Sequence, residues 1–91
     1  SLNLEFENAK AQLSSSLIIL NNQKANEQLA QDVFSNTRNN YDNGLANLTD
    51  LLDAESSLTQ AQNNYSTALL DYKIAEIQLL KSKGELKTLI N

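Results

Sequence analysis

Apolar residues recur at every seventh position along the second half of the chain. A bulky residue starts each repeat, and a small residue follows it three positions later. The bulky positions are Leu51, Leu58, Tyr65, Tyr72, Leu79 and Leu86, and the small positions are Ala54, Ala61, Ala68, Ala75 and Ser82. Such a repeat is typical of a coiled coil. Because alanine fills the second core position, the pattern predicts a narrow seam between two closely approaching helices.

The first half carries a similar but more polar repeat. Its first positions are Phe6, Leu13, Leu20, Glu27, Phe34 and Tyr41, and its second positions are Ala9, Ser16, Gln23, Ala30 and Thr37. Counting onward in sevens from Tyr41 reaches Leu48 and misses Leu51 by three residues. The two repeats therefore belong to two different helices.

The break between the repeats lies at residues 42–47, DNGLAN. Gly44 can take a positive φ angle, and aspartate and asparagine side chains bond readily to nearby backbone, so a turn is predicted here. Asn47 or Thr49 is expected to cap the second helix, and Asp50 in its first turn suits the helix dipole.

The sequence therefore predicts an all-α fold, a long antiparallel two-helix coiled-coil hairpin over residues 1–91. The first helix is expected over about 3–41 and the second over about 48–83. Gly84 is expected to close the second helix, because glycine is the preferred residue just beyond a helix end. Residues 84–91 would then form a frayed or continuing tail.

Composition agrees with long helices, since the 91 residues include no Pro and two Gly. The longest apolar run, residues 17–20, is far below the roughly 20 residues that a membrane-spanning helix needs. No transmembrane helix is predicted. With no initiator Met or targeting segment, we expect the chain to be a piece of a larger protein.

The charge pattern and the missing residue types argue against several function classes. Formal net charge is −4 and the basic residues are scattered, so no nucleic-acid partner is expected. The chain has no His, Cys or Met, and a thin hairpin offers no pocket, so we expect no enzyme activity, cofactor or metal site. The lack of Cys permits an oxidising compartment without requiring one.

A second apolar surface lies away from the seam and indicates further packing partners. Its residues are Leu17, Ile18, Ala25, Leu29 and Val33 in the first helix, and Leu69, Leu70, Ile74, Ile77 and Leu80 in the second. Two arrangements fit this surface equally from sequence: a four-helix bundle, or hairpins packed side by side around a larger ring.

The turn and the start of the second helix carry the most specific motif. The string YxxGxxxxxDLLDA begins at Tyr41 and is followed by the alanine repeats. Together they resemble the C-terminal half of the outer membrane efflux protein family, the TolC-like channels, over roughly residues 25–86. The motif is specific as a whole string, whereas glycine and aspartate at this spacing alone would mean little.

The resemblance implies a role in transport. Similar proteins are homotrimers that cross the outer membrane as a β-barrel, which this chain lacks, and extend a tube of helical hairpins through the periplasm. They export small molecules or proteins together with a periplasmic adaptor protein and an inner-membrane pump. The chain would be one periplasmic hairpin of such a channel. The alternative is a structural antiparallel coiled coil, such as an adaptor hairpin, with no channel role.

The resemblance also assigns roles to individual residues. Asn43, Gly44 and Leu45 match the tip at which an adaptor docks, and Asp50 and Asp53 match the acids of the narrow channel entrance. The competing interpretation is that acids in a first helical turn only offset the helix dipole. Tyr65 and Tyr72 fall in the leucine register and are interpreted as seam residues, not ligand-binding ones.

Overall fold

The computed structural model describes the backbone of residues 2–90 and the side chains of residues 2–88. It contains two helices, α1 over Leu2–Asp42 and α2 over Leu48–Ile90, and the described residues include no strand. The helices run antiparallel on either side of a short turn. The prediction of an all-α two-helix hairpin is therefore confirmed.

The turn is built around Gly44. Its φ angle is 76°, in the left-handed region that side chains with a Cβ disfavour. The Gly44 N–H donates to the Tyr41 carbonyl at 3.1 Å, and the Leu45 N–H donates to the Asn40 carbonyl at 2.7 Å. This pair of bonds defines a Schellman motif, which satisfies carbonyls that the end of α1 would otherwise leave open.

The expectation that Gly84 ends the second helix is wrong, because α2 continues to Ile90. Gly84 does not have the positive φ that a left-handed helix cap requires. The seven-residue repeat continues beyond it through Leu86, which is half-buried. Thr88 Oγ1 also donates to the Gly84 carbonyl at 2.9 Å. Of the expected tail, Asn91 lies outside the described residues.

The chain forms two compact units, and both helices contribute to each. The turn unit contains residues 22–66, and the terminal unit contains residues 1–21 and 67–91. In the terminal unit the most buried side chains are Ala68 and Ala75, at 4% and 2% exposure. The half-buried positions of its seam are Phe6, Ala9, Leu13, Ser16, Leu20, Tyr72, Leu79, Ser82 and Leu86.

The turn unit follows the same repeat with a more polar α1 side. Ala54 and Leu58 are its buried residues, and the half-buried positions of its seam are Gln23, Glu27, Ala30, Phe34, Thr37, Leu51, Ala61 and Tyr65. Tyr41, the last member of the first repeat, is 38% exposed at the end of the seam. The pattern of exposure thus follows the two heptad series, because small residues at alternate positions let the helices pack closely.

The second apolar surface is exposed in both units. In the turn unit Leu29 and Val33 are exposed. In the terminal unit the exposed members are Leu17, Ile18, Leu69, Leu70, Ile74, Ile77 and Leu80. Large apolar side chains left exposed in this number leave room for further packing partners.

Candidate functional site

The tip of the hairpin presents Leu45 to solvent. At 78% exposure it is the most exposed large apolar side chain among the described residues. In a Schellman motif the residue at this position commonly packs against an apolar residue in the last turn of the helix. Here the last-turn positions are Asn39 and Asn40, so Leu45 lacks that apolar partner. Its side chain is therefore available to another molecule.

Asn47 and Asp50 together form the start of α2. The Asp50 N–H donates to Asn47 Oδ1 at 2.8 Å, and the Asn47 N–H donates to Asp50 Oδ2 at 3.3 Å. This reciprocal pair is a capping box with asparagine as the cap and aspartate three residues later. Of the two capping candidates from sequence, Asn47 and Thr49, the structure selects Asn47. Asp50 therefore has a structural role in addition to any role in a channel.

The two acids that match the family's channel entrance share one open groove. Asp50 and Asp53 line it from α2, and Val33 lines it from α1. The other residues along the groove are Thr37, Asn40, Leu45, Ala46, Ala54 and Ser57. Both aspartates are exposed. Asp53 makes no hydrogen bond or ion pair with any residue that the structure describes, so its carboxylate is free to face another chain or a passing solute.

Net negative charge is concentrated in the turn unit. This unit carries the acids Glu27, Asp32, Asp42, Asp50, Asp53 and Glu55 but only the bases Lys24 and Arg38. In the terminal unit the numbers of acidic and basic residues are equal. The chain's net charge of −4 therefore belongs to the turn unit, and the sequence has no basic residue between Arg38 and Lys73.

The turn unit includes a seam position whose chemistry does not fit an apolar core. Glu27 occupies a bulky position of the repeat and is half-buried. No hydrogen bond or ion pair reaches its carboxylate from the residues that the structure describes. A half-buried acid without a partner weakens packing at that position.

Two further properties constrain the kind of site. Across the described part of the chain, no group of three or more His, Cys, Asp or Glu side chains is arranged to hold a metal ion. Neither helix, over the residues described, is long and apolar enough to cross a membrane.

Comparison with protein-family models shows which family the chain belongs to. The family model described as "Outer membrane efflux protein" matches residues 1–85. The chain belongs to the outer membrane efflux protein family. Comparison with curated proteins and comparison with solved structures each give no significant match. The resemblance carried by the YxxGxxxxxDLLDA string is thereby confirmed, and the match covers more of the chain than that string with its alanine repeats.

Membership in the outer membrane efflux protein family places the chain among components of outer-membrane channels, a family of transporters and not of enzymes. The matched region includes the exposed tip and the acidic groove. Sequence reasoning identified the tip and the two aspartates but missed that Asp50 bonds back to the Asn47 N–H. The available signal was the spacing Asn-x-x-Asp, which is a variant of the capping-box pattern.

Proposed function

We propose that this chain is a periplasmic tunnel hairpin of a trimeric outer-membrane channel. The channel exports small molecules or proteins and docks a periplasmic adaptor protein, which links it to an inner-membrane pump. The observation that carries the proposal is the tip of the hairpin, where Leu45 is 78% exposed beside a groove lined by Asp50 and Asp53.

The tip has the properties of a docking point. Asn43, Gly44 and Leu45 are all exposed, and the Schellman motif fixes their backbone. An exposed leucine on a backbone held by hydrogen bonds can serve as an anchor, because little backbone entropy is lost when its side chain enters an apolar socket on a partner. Gly44 has no side chain, so a partner backbone could approach the turn closely. We assign these three residues to adaptor docking.

The carboxylates of the groove are suited to attract cations at a narrow channel entrance. In a trimer, three copies would bring six carboxylates from Asp50 and Asp53 to the threefold axis. A ring of acids concentrates cations at a pore mouth and repels anions. Multivalent cations would bind most strongly, since each could contact carboxylates from more than one chain.

The entrance role is tested in the full-length channel protein, reconstituted in a planar bilayer. We expect the wild type to prefer cations and to be blocked by a trivalent cation added on the periplasmic side. The double variant Asp50→Ala, Asp53→Ala should lose much of this block and still assemble as a trimer, because neither residue lies in the seam. Block of the double variant at the wild-type concentration would show that the acids serve only the start of the helix.

The docking role is tested by crosslinking in cells that contain the adaptor. Leu45→Cys should form crosslinks to the adaptor with a short bifunctional thiol reagent paired with a cysteine at the adaptor tip. Ser56→Cys, an exposed position farther along α2, is the matched control and should give none. Equal crosslinking at both positions would argue against docking through the tip.

The alternative of a structural coiled coil without a channel role explains the seam equally well. It provides no reason for an exposed leucine at the tip or for a net negative charge that belongs to the turn unit alone. The family match over residues 1–85 also favours the channel component over an adaptor hairpin.

A further inference from the structure

Asp71 occupies the same heptad position as Asp50. Each directly precedes a bulky seam residue, Leu51 for Asp50 and Tyr72 for Asp71. The two aspartates are 21 residues apart in α2, which is three complete repeats. Asp71 belongs to the terminal unit and Asp50 to the turn unit, so each is compared with its own surroundings.

In the terminal unit, Asp71 lines an open groove between α1 and α2. Ile74 lines this groove from α2, and α1 contributes Asn8, Gln12, Ser15 and Ile19. Asp71 is the one charged side chain among the groove residues, and it is exposed. It makes no hydrogen bond or ion pair with the described part of the chain. The groove wall is otherwise amide, hydroxyl and apolar.

The basic residues of α1 follow a different heptad position. Lys10, Lys24 and Arg38 each come four residues after a bulky seam position. The α1 groove residues Gln12 and Ile19 in the terminal unit, and Val33 in the turn unit, each come one residue before such a position. Positions four after and one before a core residue flank a coiled-coil seam on opposite sides. In each unit, the bases of α1 therefore lie across the seam from the groove.

Resting on the function proposed above, we propose that Asp71 is a further pore-lining and selectivity-determining residue. If Asp50 and Asp53 face the lumen, the heptad position that Asp71 shares with Asp50 in the single helix α2 assigns Asp71 to the lumen wall as well. Three copies then form a second acidic ring beyond the entrance. The α1 bases lie across the seam, and Lys81 of α2, which lines the neighbouring groove of the terminal unit, is accompanied there by Glu5 and Glu85. The lumen wall is therefore net acidic and favours cationic over anionic solutes.

The ion selectivity of the reconstituted full-length channel tests directly whether Asp71 lines the pore. Reversal potentials in a salt gradient give the cation-to-anion permeability ratio. Asp71→Asn keeps the shape of the side chain and should lower this ratio by at least about twofold. Lys24→Gln, which neutralises a charge at the heptad position on the other side of the seam, is the control and should leave this ratio unchanged.

A second measurement does not depend on selectivity. In a cysteine-free background, a positively charged methanethiosulfonate reagent should reduce the cation current of Asp71→Cys channels and leave that of Lys24→Cys channels unaffected. Unchanged selectivity in Asp71→Asn together with an unaffected Asp71→Cys current overturns the inference. A change of selectivity or of reagent-treated current in the Lys24 variants, with none in the Asp71 variants, also overturns the inference.

The outcome also separates this inference from the proposed function. The double variant at Asp50 and Asp53 can lose trivalent-cation block while the Asp71 variants behave as wild type. In that case the entrance role is supported and the second ring is overturned. If the protein forms no channel, or if neither set of variants changes conduction, both the proposed function and the second ring are overturned.

Discussion

Asn47 and Asp50 exchange hydrogen bonds between side chain and backbone at the first turn of α2, at 2.8 and 3.3 Å. One of the two acids assigned to the channel entrance therefore also holds the end of the turn in place. Asp53, three residues later in the same groove, has no such bond within the described residues. Variants of the two aspartates can consequently be distinguished by their stability, although the proposed entrance role is common to both.

Replacing Asp50 with alanine should lower the free energy of unfolding of the 91-residue chain by about 0.5–1 kcal/mol. The loss arises because the Asn47 N–H loses its acceptor and the helix start loses a favourable charge. Thermal unfolding followed by circular dichroism, at one fixed chain concentration, measures the effect. Asp53→Ala is the matched control and should shift the midpoint far less. Equal shifts for the two variants would contradict the structural role of Asp50.

The two glycines should respond to alanine in opposite directions. Gly44→Ala should destabilise the hairpin by roughly 1–2 kcal/mol, because a Cβ is disfavoured at a φ of 76°. Gly84→Ala should stabilise it by about 0.5–1 kcal/mol, since α2 is helical there and, apart from the neighbouring backbone of the helix itself, no described atom lies within 4 Å of the added Cβ. Urea unfolding of both variants and of the wild type shows whether each substitution raises or lowers the free energy of unfolding. A destabilising Gly84→Ala would mean that α2 is not helical at that point in solution.

Gly84 also shows why sequence reasoning misplaced the end of α2. A glycine near the end of a helical pattern is a common stop signal, but its effect is local and costs only about 1 kcal/mol inside a helix. Leu86 continues the seam beyond it, and the burial gained there is of the same order or larger. The heptad series was therefore the more reliable guide to the helix end than the single glycine.

The alanines of the seam should tolerate no added bulk. Ala75 is 2% exposed, so Ala75→Leu forces the helices apart and should cost on the order of 1–3 kcal/mol. Ala25→Leu introduces the same side chain at an exposed position of α1 and is the control. The two midpoints are compared in thermal unfolding at matched concentration. An unchanged midpoint for Ala75→Leu would mean that this alanine does not face the other helix.

Glu27 should be a site where the hairpin can be stabilised. Glu27→Leu replaces a half-buried carboxylate without a partner by the residue type that the repeat favours, and should add about 1 kcal/mol to the free energy of unfolding. Glu55→Leu removes the same charge from an exposed position of the same unit and controls for the change in net charge. Equal gains from both substitutions would attribute the effect to reduced charge repulsion, not to the seam.

The isolated chain should associate with itself. One alanine seam buries little surface, and the second apolar surface stays exposed, with Leu29 and Ile77 both above 60% exposure. Association should make the unfolding midpoint rise with chain concentration. Sedimentation equilibrium combined with melts over a hundredfold dilution measures both properties. A monomer whose midpoint does not move would refute the expectation.

Local patterns in the sequence determined more of the fold than of the site. The heptad series and Gly44 located the seam and the turn, because packing between two neighbouring helices depends on residue spacing alone. The placement of Asp53 toward a lumen depends on chains that are not part of the hairpin. The pattern of one sequence cannot encode that relation, and only the family motif suggested it.

The alanine seam has a consequence at the level of the genetic code. Any single-base change in an alanine codon that alters the residue gives Ser, Thr, Pro, Val, Gly, Asp or Glu. At Ala68 or Ala75, which are 4% and 2% exposed, each of these adds bulk, buries polarity or charge, breaks the helix or loosens it. At a bulky seam position such as Leu58, single-base changes of a leucine codon include the apolar replacements Met, Ile and Val beside disruptive ones such as Pro, Arg and Gln. A larger share of spontaneous replacements should therefore damage the hairpin at its smallest core residues than at its leucines.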